Sequence, residues 1–256
     1  LWATAKLQDA VPEVLTAVPT LVACIPGRIQ SMIPQHLSNC LLSFALLQQS
    51  VPEVLSGVPL IATHIQQKVD RLLPQHLCNC LWAAANLKEA GPEVLKAVPA
   101  IAQRIPHNTD RFDYQLLASA CWSVAVLQEA VPEVLSTVPA LASKAHGQSG
   151  DFDCQALSNC LWAAAHLQES APAMLAIVPR LVKGIVNSAD RYTSGKAVAM
   201  QRSAILNNKL GKLSSVGKMI PQHLSNCLWA AAALKDVAPE VLQAVPALSN
   251  RIPQLG

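Results

Sequence analysis

Aromatic and charged side chains are both scarce in this sequence, at 4% and 14% of 256 residues. With few large rings to fill a sheet sandwich, the 52% hydrophobic content falls mainly to Ala, Leu and Val, which suit closely packed helices. Long apolar runs are missing as well. Pro, Gln or a charge interrupts every candidate before the roughly 18 residues of a membrane span, so no membrane partner is expected. Catalytic signatures are also lacking: there is no GxSxG, no HExxH, no P-loop and no glycine-rich phosphate cradle. The expectation is a chain that is not an enzyme, with no catalytic residues, cofactor, metal or small-molecule substrate.

Positive charge is thin outside one stretch. The formal charge is +3, yet Arg191, Lys196, Arg202, Lys209, Lys212 and Lys218 face Asp190 alone between residues 187 and 220. The rest of the chain carries 13 Lys and Arg against 15 Asp and Glu. A body so balanced disfavours strong non-specific binding to nucleic acid.

Cysteine is present in eight copies, but not at bridging or metal-binding spacing. Cys40, Cys80, Cys160 and Cys227 occupy one slot of a repeat. Neighbouring slots then lie about 10 Å apart, beyond the roughly 7 Å that a disulfide spans. Cys78 and Cys80 have no second pair at zinc-finger distance. Buried, reduced thiols serving as small hydrophobes are expected, in a reducing intracellular compartment. The lack of any Asn-x-Ser/Thr acceptor agrees.

What the chain does have is a period. The stretch LCNCLWAAANL at Leu77 returns as LSNCLLSFALL at Leu37, LASACWSVAVL at Leu117, LSNCLWAAAHL at Leu157 and LSNCLWAAAAL at Leu224. Its Trp slot holds Trp2, Leu42, Trp82, Trp122, Trp162 and Trp229, four steps of 40 residues and one of 67. Pro12-Glu13, Pro52-Glu53, Pro92-Glu93, Pro132-Glu133, Pro172-Ala173 and Pro239-Glu240 keep the same beat. The predicted fold is all-α: an αα-solenoid of about 40-residue helical hairpins, an armadillo/HEAT-like superhelix. The array covers 1–186, with a partial first unit and units near 34–73, 74–113, 114–153 and 154–186. A basic insert, loop or isolated helix, follows at 187–219, and a last repeat at 220–256. Within the insert, 197–210 is the helical candidate. A start at Leu1 inside a repeat reads as a fragment of a longer array.

Inside one unit, Pro74 suits a first helical turn because its missing N–H would be unpaired there. Asp113 and Asp153 replace it elsewhere as N-caps. Leu77, Leu81, Ala84 and Leu87 follow at helical spacing, giving a first helix of about 16 residues. Pro92 opens a second helix with the stripe Leu95, Val98, Ala102 and Ile105. Pro99, repeated at Pro19, Pro59, Pro139, Pro179 and Pro246, is expected to kink that helix; two short helices are the alternative.

Four slots bear on function. The Trp slot is expected to pack between helices, since Leu42 keeps the volume and discards the ring. Asn39, Asn79, Asn159 and Asn226 share a slot, with Ser119 in the fifth copy; they either satisfy backbone groups or line a groove. Seven residues later the copies read Lys6, Leu46, Asn86, Val126, His166 and Ala233, variation that suits a one-unit-per-base reader of RNA. In the second helix, Cys24, His64, Arg104, Lys144, Gly184 and Arg251 share a slot, where Arg104, Lys144 and Arg251 are candidates for phosphate contacts. His36, His76 and His223, each in Pro-Gln-His, are expected as exposed first-turn residues rather than metal ligands.

The L-x-N-x-LWA-x-A-x-L helix, followed by a Pro-led segment with E-x-L, resembles the octotricopeptide repeat and the related helical arrays that precede RAP domains. The resemblance covers the array apart from the insert. It implies an α-solenoid that binds single-stranded RNA in a plastid or mitochondrion and supports RNA processing, stability or translation. This chain departs from the family in its longer period, its second Pro, its lack of net positive charge in the array and the lack of a RAP domain. A protein partner, bound as on an armadillo or HEAT scaffold, is the alternative expectation.

Overall fold

The computed structural model describes residues 1–147, 152–193 and 219–252, the side chains of 189–193 excepted. Most of the basic 187–219 stretch, including the candidate helix over 197–210, lies outside the described residues. Among those described, the chain is all-helical, with thirteen α-helices, nine 3₁₀ stretches and no strand. Elements pack mainly on their repeat neighbours.

The first helix of each repeat is α1 (Trp2–Leu7), α4 (Pro34–Leu47), α6 (Pro74–Leu87), α8 (Tyr114–Leu127), α10 (Cys154–Leu167) and α12 (Pro221–Leu234). The full-length copies have 14 residues, two fewer than the spacing predicted. The chain turns off after Leu87, where the Gly91 N–H bonds back to the Leu87 carbonyl at 2.7 Å. Starts follow the sequence signals. Pro34, Pro74 and Pro221 open their helices. Asp113 and Asp153 instead accept the Leu116 and Ala156 N–H groups at 2.9 and 2.8 Å.

The second half of the repeat corrects the expectation of one kinked helix. Pro92–Ala97 is a 3₁₀ stretch, and a separate α-helix, α7 (Val98–Arg104), begins after it. The proline accounts for the break. Pro99 has no N–H to continue an α-helix begun at Pro92, but it fits the first turn of a new one, where none is needed. The same construction recurs in α2 (Val18–Ala23), α5 (Val58–Gln67), α9 (Val138–Gly147), α11 (Val178–Thr193) and α13 (Val245–Ser249), each after its own Pro-led 3₁₀ stretch. A further short helix, α3 (Ile25–Arg28), follows α2. Helix α11 continues past residue 186, so the end assigned to the array falls inside a helix.

The chain divides into two compact units, residues 1–112 with 126–141, and residues 113–125 with 142–256. In the first unit α1 packs on α4 and α4 on α6, while α2, α5 and α7 each pack on the 3₁₀ stretch of the following repeat. In the second unit α10 packs on α12, and α11 on Pro239–Ala244. Both units therefore use the same two contacts: first helix on first helix, and α-helix on the next 3₁₀ stretch.

One core pair shows how tightly the two halves of a repeat fit. A Cβ on Gly57 would lie 2.7 Å from the Phe44 ring, so the glycine makes room for the only Phe in that slot. In 40-residue register the pair becomes Ala84 with Ala97 and Ala164 with Ile177, all at most 1% exposed. Phe44 with Gly57 and Ala164 with Ile177 thus set a large residue against a small one in opposite order, whereas Ala84 with Ala97 is small on both sides.

Candidate binding face of the first helices

The 14-residue first helices bury Leu, Ala and, on all but α4, Cys on their inner sides and leave one stripe open. On α6, Leu77, Cys80, Leu81, Ala84 and Leu87 are buried, while Gln75 is exposed and Asn79, Trp82 and Asn86 are half-buried. Steps of four, three and four residues put those four on one face. The stripe on α4 is Gln35, Asn39, Leu42 and Leu46; on α10 it is Gln155, Asn159, Trp162 and His166; on α12 it is Gln222, Asn226, Trp229 and Ala233. The Asn slot, the Trp slot and the variable slot thus share one face.

The Trp residues are not the fully packed fillers that the sequence suggested. Trp82, Trp122 and Trp162 are half-buried, and Trp229 is 47% exposed. Small Ala residues fill the seam between the backbones, and the indole lies over its edge. In the second unit the rings form a run. Trp122 and Trp162 have centroids 6.4 Å apart at 33°, and Trp162 and Trp229 have 6.4 Å at 36°. The His166 ring sits between the latter two, 3.6 Å from Trp162 and 4.5 Å from Trp229. Its Nδ1–H donates to the Trp162 carbonyl at 3.0 Å, which fixes the ring against the indole.

Of the remaining candidates on these helices, Asn86 donates through Nδ2 to the Trp82 carbonyl at 2.8 Å. Asn226 Oδ1 accepts from Gln222 Nε2 at 3.4 Å. Asn39, Asn79 and Asn159 are half-buried, and Lys6 on α1 is exposed. Flat rings and side-chain amides give this face stacking and neutral hydrogen bonding; it holds little charge.

The slot of the second helix that holds His64, Arg104, Lys144 and Arg251 lies partly inward. Three of its polar residues reach back to the preceding repeat. Arg251 is 8% exposed and donates through Nη2 to Ser188 Oγ at 3.3 Å. Arg104 Nε pairs with Asp70 at 3.5 Å. His64 is buried and meets the Gln30 amide at 3.5 Å. Arg251 is thus largely buried, Arg104 lies half-exposed beside Asp70, and Lys144 is half-buried. At His64, Arg104 and Arg251 the slot residue meets a different partner in each repeat.

The histidine expectation also needs correction. His36 is exposed, but His76 and His223 are half-buried. The Leu73 N–H donates to His76 Nδ1 at 3.3 Å, so the imidazole caps its helix. Burial lowers the pKa of both His76 and His223. No cluster able to hold a metal occurs among the described residues. All eight cysteines are free. Burial pushes the Cys80 and Cys227 thiols up to about 12. Cys160 is raised by a hydrogen bond with Cys121 and then by burial, so these two thiols touch although they occupy different slots. The thiolate is thus disfavoured at Cys80, Cys160 and Cys227.

One set of residues escaped the sequence reading. Gln48 Nε2 donates to the Asn86 carbonyl at 3.0 Å, and Lys88 Nζ to the Val126 carbonyl at 3.1 Å. Each comes from the turn just after a first helix and ties the variable slot of the next repeat by its backbone. Long donors at the register-equivalent Gln8, Gln128, Gln168 and Lys235 carried the signal. No family model, no curated protein and no solved structure matches this chain.

Proposed function

We propose that this chain is an αα-solenoid of the armadillo/HEAT kind that binds single-stranded RNA along the open stripe of its first helices and catalyses nothing. The run of Trp122, Trp162, His166 and Trp229 carries the reading. Half-exposed rings at fixed intervals offer platforms for unpaired bases, and stacking contributes about 1–3 kcal/mol per base. Asn159, Asn226 and the residue in the variable slot lie beside those rings and supply base-edge hydrogen bonds. Work on organellar RNA, in a plastid or mitochondrion, follows from the resemblance to octotricopeptide repeats alone.

The stripe holds few cations, and Arg251 and Arg104 are otherwise engaged. Binding therefore rests on stacking and has a shallow salt dependence, a slope near −0.7 per phosphate contacted. Titration of indole fluorescence with unstructured RNA tests this. The expected result is quenching, with affinity falling roughly 5- to 150-fold in Trp162→Leu while the helical signal stays intact. Absence of binding at low salt removes the reading. A second reading, an extended protein segment held by the amide stripe, draws on the same scarcity of charge. Quenching by peptides and not by RNA selects it.

A further inference from the structure

We infer, on the reading that RNA lies along this stripe, that one nucleobase enters between the indoles of Trp122 and Trp162, whereas His166 fills the matching place between Trp162 and Trp229. The two ring pairs belong to the second unit and are built alike. Trp122 and Trp162 have centroids 6.4 Å apart at 33°, and Trp162 and Trp229 have 6.4 Å at 36°. One spacing and nearly one tilt serve both.

The second pair displays what that geometry accepts. The His166 imidazole lies 3.6 Å from Trp162 and 4.5 Å from Trp229, tilted by 30° and 32° to them. A flat nitrogen heterocycle therefore faces both indoles at once, and its bond to the Trp162 carbonyl at 3.0 Å holds it there. One repeat earlier the same slot holds Val126, which carries no ring. The first pair thus has the spacing and receives no ring from this slot. Trp122 and Trp162 both keep part of their surface open. An unpaired base is itself a flat nitrogen heterocycle, and its stacking on aromatic faces tolerates any sequence. The variable slot then decides occupancy: a ring there fills the pair, and an aliphatic side chain leaves it to the ligand.

Titration of the full chain with an unstructured oligoribonucleotide tests this, read by indole fluorescence at about pH 8, where an added histidine ordinarily brings no charge. Val126→His supplies a ring to the first pair and should weaken binding roughly 5- to 150-fold, the stacking of one base. His166→Val gives up an edge contact for the room of a second base and should strengthen binding. Circular dichroism confirms that each variant is folded. The opposite signs separate occupancy from damage to the fold, which weakens binding in both. With RNA bound by the wild type, any other pair of results overturns the inference and leaves the RNA reading standing. A wild type that binds no RNA at low salt removes both.

Discussion

The two halves of the repeat obey the same period by different means. The first helix is a continuous 14-residue α-helix whose Ala-rich seam sets helix-to-helix distance and whose outer stripe stays open. The Pro-led half is broken into a 3₁₀ stretch and an α-helix, and polar residues of its variable slot turn inward to meet the preceding repeat. Variation within a fixed frame therefore has two meanings in one molecule. On the first helix it faces solvent, where a ligand can read it. On the second it is internal stapling.

The largest effect that tests this division concerns the fit between the halves. Phe44→Ala empties a fully buried ring site and should cost about 3–5 kcal/mol. Gly57→Ile alone should also destabilise, by roughly 1–3 kcal/mol, because its side chain meets the Phe44 ring. The double variant copies the Ala164 and Ile177 arrangement and should recover most of both losses in chemical denaturation. Additive losses would mean that the pair does not share one space.

Proline placement breaks the comparison more directly. Ala84→Pro interrupts the continuous first helix and should cost about 3 kcal/mol or more. Pro99→Ala, in the half that is already broken, should change stability by less than about 1 kcal/mol. Equal losses in the two melting curves would show that the Pro-led half is not pre-broken.

Much of the first helix was legible in the sequence. Pro and Asp marked its start, and Leu77, Cys80, Leu81 and Leu87 marked its buried side, because helical spacing maps directly onto faces. The Trp slot was misjudged for a physical reason: a large apolar side chain signals burial, but at a seam kept narrow by alanines only part of an indole fits. The second half was harder still. A proline inside an apolar stripe is compatible with a kink or a new start, and the choice rests on backbone bonds that the letters do not carry. The charge of Arg251 is visible in the sequence, whereas its partner Ser188, 63 residues away, is not.

The indole stripe and the buried seam can be separated by one residue each. Leu161→Ala, at 0% exposure, should cost about 2–5 kcal/mol. Trp162→Ala should cost roughly half of what a fully buried Trp loses, about 2 kcal/mol, since its ring is partly in solvent. The proposed ligand reverses that order: Trp162→Ala should weaken RNA binding strongly, and Leu161→Ala, where still folded, should leave it near normal. Loss of stability in Trp162→Ala as large as in Leu161→Ala would return the Trp slot to pure packing.

The smallest effect lies at the open end of a first helix. His223 is half-buried, its Nδ1 has no hydrogen-bond partner among the described residues, and burial lowers its pKa from the ordinary 6.5, with Asp153 partly opposing. The unfolded chain then binds a proton more readily than the folded one. The neutral imidazole's contribution is complete above about pH 6.5 and is lost as pH falls through that value toward the lowered folded pKa. Melting at pH 7.5 and pH 5.5 should show a lower midpoint at the acid end, and His223→Gln should reduce the difference. If His223→Gln leaves the pH dependence as it was, burial of the first turn in the last repeat is not what tunes the imidazole.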